Sequence, residues 1–246
     1  MDVAGLREFG YRGLVVVPDA IGSHLIELAN AEIDRLIEEH PSPPDRRGNH
    51  FYWPRLRSDD ALAKVLFESG AFATAQSLLA PGTLDAPTQA QVSLIIPPYD
   101  HRPGGPHIDG TTPPEPDGRP GTFTMLAGIM LTDQSSRDMG NLWIWPRTHL
   151  QSGAYFREHG ADALMATRGG YPLVELPQPT QVMGRAGDLL LAHYMLGHNI
   201  GGNTSAVTRR MLYFRLMRRG HRARWRECLL DPMLEFDAVR AAMGEG

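Results

Sequence analysis

The chain has 246 residues, of which 42% are hydrophobic and 21% charged, and its net charge is −4. That is enough apolar material for a sizeable core, and too little excess charge of either sign to mark a nucleic-acid partner or a disordered acidic tail. Cys228 is the single cysteine and excludes an intrachain disulfide. The first residues lack a signal-peptide pattern, and no apolar run nears the roughly 20 residues of a membrane span. A cytoplasmic protein with no membrane partner is expected.

In chain order, residues 13–17 read as a short buried strand closed by Pro18. Residues 21–39 follow with helical spacing, and Leu25, Leu28, Ala29, Ile33, Leu36 and Ile37 form the apolar stripe. Residues 41–56, rich in Pro, Arg and Gly before Phe51, Tyr52 and Trp53, read as an ordered loop, and helical patterns resume over 60–80. From residue 89 the texture changes. Short β-rich runs at 91–96, 122–131, 142–145, 189–192 and 208–217 alternate with Gly/Pro turns, which predicts an antiparallel barrel or jelly roll. No linker divides the chain, so the expectation is one domain over 1–246. Within it, 1–88 is a largely helical support with one strand, 89–220 the β-barrel core, and 221–246 a C-terminal tail or helix. The Pro/Gly-rich loop 111–121 reads equally as a lid or a solvated insertion.

His107 and Asp109 stand two residues apart, which in extended backbone points both side chains to one face. Alone the pair is a weak signal in a chain with ten histidines. A second segment strengthens it: Gly187-Asp188 opens an apolar run that ends at Gly197-His198, followed by Asn203 and Arg209. Two histidines and one carboxylate that leave coordination sites open are the donor set of non-haem Fe(II) oxygenases. His193 competes with His198 for the third position, but it lies within the apolar run and reads as a packed strand histidine. On the last strand Arg209, Met211, Tyr213 and Arg215 share one face and Leu212, Phe214 and Leu216 the other, so Arg209 should point into a polar lumen and Arg210 outward. A buried guanidinium needs an anion, and its planar fork suits the distal carboxylate of 2-oxoglutarate. The arginines crowded between 209 and 226 could attract an anionic partner, but such runs are more often solvated edges paired with acids.

With these residues in view, the chain resembles the phytanoyl-CoA dioxygenase-like family of Fe(II)/2-oxoglutarate oxygenases. The likeness runs through Phe9-Gly10-Tyr11, Pro97-Pro98, His107-Ile108-Asp109, Gly140-Asn141-Leu142, Pro146-Arg147-Thr148-His149 and the set Gly187-Asp188, His198, Asn203, Arg209. It implies a mainly β, double-stranded β-helix (jelly-roll or cupin-like) with helices packed on one sheet. It also implies iron on His107, Asp109 and His198, with 2-oxoglutarate on Arg209 and near Gln91. Ile200 stands where relatives often carry a small hydroxyl residue. The activity implied is hydroxylation of an aliphatic carbon of a small-molecule metabolite, with dioxygen as co-reactant and succinate and carbon dioxide as by-products. Retention of Asp109 favours hydroxylation over the halogenation of relatives that lack this carboxylate. By position, Tyr52, Trp53, Tyr213 and Arg215 are expected to wall the substrate. Two alternatives remain open at this point: a cupin-type isomerase or hydrolase that needs no 2-oxoglutarate, and a non-catalytic barrel that binds a small ligand. Substrate identity and oligomeric state are not legible.

Overall fold

A computed structural model describes residues 1–111 and 114–244. The N-terminal part carries α1 (Val3–Arg12), β1 (Leu14–Val17), α2 (Ser23–Glu39), β2 (Gly48–Tyr52), α3 (Ala61–Phe67), α4 (Ala71–Ser77) and β3 (Leu84–Asp85). There follow β4 (Gln91–Ile96), β5 (Met125–Met130), β6 (Trp143–Ile144), α5 (Thr148–His159), α6 (Ala163–Ala166), β7 (Thr180–Gln181), β8 (Leu189–His193), β9 (His198–Asn199) and β10 (Arg209–Arg218). The chain closes with α7 (His221–Leu230) and α8 (Asp237–Met243).

Seven strands form an antiparallel sheet in the order β1-β8-β5-β10-β4-β2, with β3 paired to the end of β10. A smaller sheet, β7-β6-β9, is extended by a bridge between His107 and His198. Helices cover the outer face of the large sheet. Leu25, Ala29, Ile33 and Leu36 of α2 join Leu189, Leu191, Leu212, Phe214 and Leu216 in one core. The inner face meets the small sheet through Leu190, Met211, Leu142 and Ile144, which form a second core. Because β5 and β8 are covered on both faces, their sequences are continuously apolar rather than alternating. The two sheets make a jelly roll that stays open rather than a closed barrel.

Several expectations need correction. The loop expected over 41–56 contains β2, an edge strand in register with β4 from Gly48 opposite Ile96 to Tyr52 opposite Val92. The N-terminal support therefore has three strands, β1 to β3, rather than one. Leu28 faces out at 37% exposure, since a helix that lies on a sheet buries a narrower stripe than its apolar residues offer. The run expected over 122–131 pairs only from Met125. Among the described residues no helix is long and apolar enough to cross a membrane.

His193 ends β8 inside the protein, with Nε2 2.7 Å from the Pro232 carbonyl and Nδ1 accepting the Met195 amide at 3.0 Å. Burial lowers its pKa to about 4, and burial also holds His149 well below the ordinary value. The unfolded chain binds a proton at His193 below about pH 6.5 that the folded chain refuses until about pH 4. Its stability contribution is therefore complete above the upper value and is lost as the pH falls toward the lower one. By pH 5 the loss from His193 reaches about 2 kcal/mol. Thermal melts of the wild type and His193→Gln between pH 7 and pH 5 check this. The variant should show the shallower fall, and parallel slopes would contradict it.

Candidate active site

The site lies between the sheets. A cavity of about 310 Å³ is walled by Gln91 and Ser93 of β4, Leu126 of β5, Arg209, Tyr213 and Arg215 of β10, and Leu142, His198, Asn199 and Ile200 from the small-sheet side, with Asn49, Phe51 and Trp53 at the edge. Its size falls at the lower end of small-ligand pockets, about 300–1,000 Å³. His107 and Asp109 reach it from the segment that follows β4.

His107, Asp109 and His198 each bring one donor atom into a cluster whose members lie within 4.8 Å of one another. The backbone fixes this meeting, because the His107 amide donates to the His198 carbonyl at 3.1 Å. His198 Nδ1 lies 2.9 Å from the Leu196 carbonyl, which can only accept, so this nitrogen carries the proton. Burial lowers the His198 pKa to about 4, so the ring is neutral near pH 7 and Nε2 offers a lone pair. Burial would raise the Asp109 pKa, but the His107 hydrogen bond and the neighbouring His198 and Arg215 outweigh it and hold the carboxyl well below the usual range. His107 Nε2 stands 3.3 Å from Asp109 Oδ1, and the Tyr194 hydroxyl donates to the Asp109 carbonyl at 2.9 Å. Two imidazoles and an ionised carboxylate on one side of a cavity suit a divalent transition metal with positions left open on the cavity side.

Arg209 is 3% exposed and donates through Nε to Gln134 at 3.2 Å, through Nη1 to Ser93 at 3.0 Å and through Nη2 to the Tyr213 hydroxyl at 2.8 Å. All three acceptors are neutral, and among the described residues no carboxylate pairs with this guanidinium. A buried cation held only by neutral groups is strongly disfavoured until an anion joins it. Two glycines make room for this arrangement. A Cβ on Gly140, whose φ is +82°, would stand 2.8 Å from Arg209 Cβ. One on Gly128, opposite Tyr213 across β5 and β10, would stand 2.5 Å from the tyrosine ring. Asn203 anchors the turn before β10 by donating to the carbonyls of Ile95 at 2.8 Å and Val207 at 2.9 Å.

The expected residues do not all meet here. Gln91, Trp53, Tyr213 and Arg215 line the cavity. Tyr52 does not: strand alternation turns it to the helix-covered face, where it is 9% exposed and donates to the His40 carbonyl at 2.9 Å. Asn49 and Phe51 take the wall position instead. Tyr52→Phe should therefore lower stability by about 0.5–1.5 kcal/mol and leave ligand binding at the site unchanged, as parallel denaturation and binding titrations would reveal. Ser93 and Gln134, which hold Arg209, carried no signal in the sequence beyond being polar in a β-rich region.

His193 is committed to the backbone as described and takes no part. A second group of potential ligands, His221, Cys228 and Glu235, lies outside the cavity, beside Thr122 and Thr124 just before β5. Glu235 Oε2 already accepts Thr124 at 2.7 Å and His221 at 2.8 Å, while His221 Nε2 faces Thr122 at 2.9 Å. Burial pushes the Cys228 thiol up, away from the thiolate a metal needs, so this network serves to fix α7 to the sheet. The C-terminal arginines pair with acids: Arg210 with Asp34, Arg218 with Asp237, Arg219 with Asp85, Arg224 with Glu227 and Arg226 with Asp162. Of the loop expected over 111–121, Thr112 and Pro113 lie outside the described residues. The rest is closed by the Gly121 amide on the Gly110 carbonyl and a turn from Glu115 to Arg119.

The family model described as phytanoyl-CoA dioxygenase (PhyH) matches residues 11–211. No curated protein matches the sequence. Among solved structures, the non-heme alpha-ketoglutarate-dependent carbocyclase SnoK from nogalamycin biosynthesis is similar at 20% identity, over 88% of this chain and 84% of its own, with a TM-score of 0.60. HygX from Streptomyces hygroscopicus, solved with nickel and 2-oxoglutarate, is similar at 19% identity over 87% and 86% of the two chains, with a TM-score of 0.59. The epimerase SnoN, also from nogalamycin biosynthesis, is similar at 20% identity over 87% and 81%, with a TM-score of 0.60. At such identities the likeness establishes the fold.

Proposed function

Because the chain belongs to the phytanoyl-CoA dioxygenase family, we propose that it is a non-haem Fe(II)- and 2-oxoglutarate-dependent oxygenase that hydroxylates an aliphatic carbon of a small-molecule metabolite. His107, Asp109 and His198 would hold the iron. Arg209 would take the distal carboxylate of 2-oxoglutarate, with Gln91, Ser93 and Tyr213 beside it. One observation carries this reading: an open set of three potential ligands and a buried guanidinium, unpaired with any carboxylate among the described residues, face the same cavity. A structural metal site would usually be closed by a fourth protein ligand, and a sensor for a small anion would need Arg209 but not the open triad.

With iron and 2-oxoglutarate bound, oxidative decarboxylation to succinate and carbon dioxide supplies the oxidising power. The chain's own residues do the rest by placement. Arg209 orients the dicarboxylate through charge and two free N–H directions, and the Ser93, Gln134 and Tyr213 contacts hold the guanidinium plane. Leu126, Leu142, Ile200 and Phe51 line the cavity with apolar surface that excludes water. No side chain is asked to act as an acid or base. Trp53 and Arg215 stand where this cavity adjoins a second hollow of about 260 Å³ lined by Thr88, Gln89 and Arg222 among others. A substrate longer than the inner cavity can extend there. HygX has been solved with hygromycin B and SnoN with nogalamycin RO, which supports a small molecule of secondary metabolism as substrate.

The test is oxygen uptake and succinate release by the purified protein given Fe(II), 2-oxoglutarate and candidate metabolites. Succinate formation that requires both iron and 2-oxoglutarate is expected. Turnover of a substrate without 2-oxoglutarate would select an isomerase or hydrolase instead.

A further inference from the structure

Arg215 follows Arg209 by six residues on β10, so strand alternation points both into the cavity. Unlike Arg209, it is partly exposed and has a carboxylate partner. Arg215 Nη2 lies 3.2 Å from Asp109 Oδ2, whereas His107 Nε2 lies 3.3 Å from Oδ1. The two oxygens of one carboxylate therefore have different partners. The guanidinium carbon also lies 5.4 Å from the Trp53 ring and 5.4 Å from the Phe123 ring. Cation–π attraction to these rings favours this placement of the partly exposed guanidinium. The Asp109 carbonyl is fixed in turn by Tyr194, so both ends of the residue are tied.

We propose that Arg215 is a positioning residue for the metal site: it retains Asp109 Oδ2, so that the carboxylate presents the single oxygen Oδ1 on the side of His107 and His198. The inference rests on the assignment of the triad as metal ligands made above. Its physical content is that a carboxylate released from Arg215 can turn and offer both oxygens. A second oxygen would occupy a position that a chelating 2-oxo acid needs. Arg215 thus protects the open face of the site through Asp109, a role separate from that of a substrate anchor at the cavity mouth. Arginine suits it better than lysine, because its delocalised, planar guanidinium favours aromatic neighbours such as Trp53 and Phe123 while an outer N–H still reaches the oxygen.

The experiment compares wild type, Arg215→Ala and Arg215→Gln loaded with Co²⁺, without substrate or turnover. It reads the visible Co²⁺ absorption, which reports coordination, and the affinity for 2-oxoglutarate by calorimetry. Arg215→Ala should change the Co²⁺ spectrum and weaken 2-oxoglutarate binding by roughly ten-fold or more, on the scale that the loss of outer-sphere partners costs in metal affinity. Arg215→Gln, whose amide ends two atoms short of the guanidinium nitrogen that reaches Oδ2, should behave as Arg215→Ala does. Both variants remove a partly exposed side chain, and their melting curves establish that they are folded. If the wild type binds Co²⁺ and 2-oxoglutarate and Arg215→Ala matches it in spectrum and affinity, the positioning role is overturned while the site assignment stands. If the wild type itself binds neither, both are overturned.

Discussion

Arg209→Ala is expected to weaken 2-oxoglutarate binding by about 2–5 kcal/mol, the loss typical when one partner of a buried charge pair is removed. That corresponds to a factor of roughly thirty to a few thousand in Kd. The size follows from the environment: Arg209 is 3% exposed and, among the described residues, has the neutral acceptors Ser93, Gln134 and Tyr213 and no carboxylate, which suits a cation that binds an anion. Calorimetry on the metal-loaded protein measures the effect, and Arg210→Ala is the control. Arg210 sits on the opposite face and pairs with Asp34 at 2.7 Å, so its removal should leave the affinity within about twofold, since loss of a surface ion pair is worth at most about 1 kcal/mol and bears on stability rather than on this cavity. An unchanged Kd in Arg209→Ala would remove the cosubstrate assignment.

Asp109→Ala and His107→Ala should each reduce affinity for a divalent metal by more than the roughly 10–100-fold lost when outer partners of such sites are changed. The consequence is visible in stability. A metal that binds only the folded state at a hundred times its Kd adds about 2.7 kcal/mol, which for a chain of this size raises Tm by about 5–10 °C. The wild type should show this rise on Mn²⁺ addition, and neither variant should at the same concentration. Equal shifts in all three proteins would place the metal elsewhere.

How much of this was readable beforehand depends on where the signal lies. The alternation Arg209, Met211, Tyr213, Arg215 against Leu212, Phe214, Leu216 was legible, because β10 has one polar-lined face and one core face. The pair His107 and Asp109 was legible as a spacing, but its meeting with His198 depends on a backbone bridge between segments 91 residues apart in the sequence. β2 was missed because an edge strand of sequence Gly-Asn-His-Phe-Tyr lacks the β-branched alternation of a central one. That miss also misplaced Tyr52, since in a strand a shift of one residue reverses the face. Helix α5 was invisible for a related reason: of its buried positions Thr148, His149, Ser152, Gly153 and Phe156, only Phe156 is a large apolar residue, so the inward side shows no apolar stripe. Ser93 and Gln134 could not be singled out, because their role comes only from lying against Arg209 in the folded chain, Ser93 on the neighbouring strand and Gln134 beyond β5.

Anaerobic titration of Fe(II) into the protein with excess 2-oxoglutarate, followed by the visible charge-transfer absorption of the chelate, tests the central claim most directly. The wild type should develop the band with saturation at one iron per chain, and single replacement of imidazole 107, carboxylate 109 or imidazole 198 by alanine should abolish it. A band of full amplitude in any one of those three variants would mean that the side chain concerned does not hold the iron.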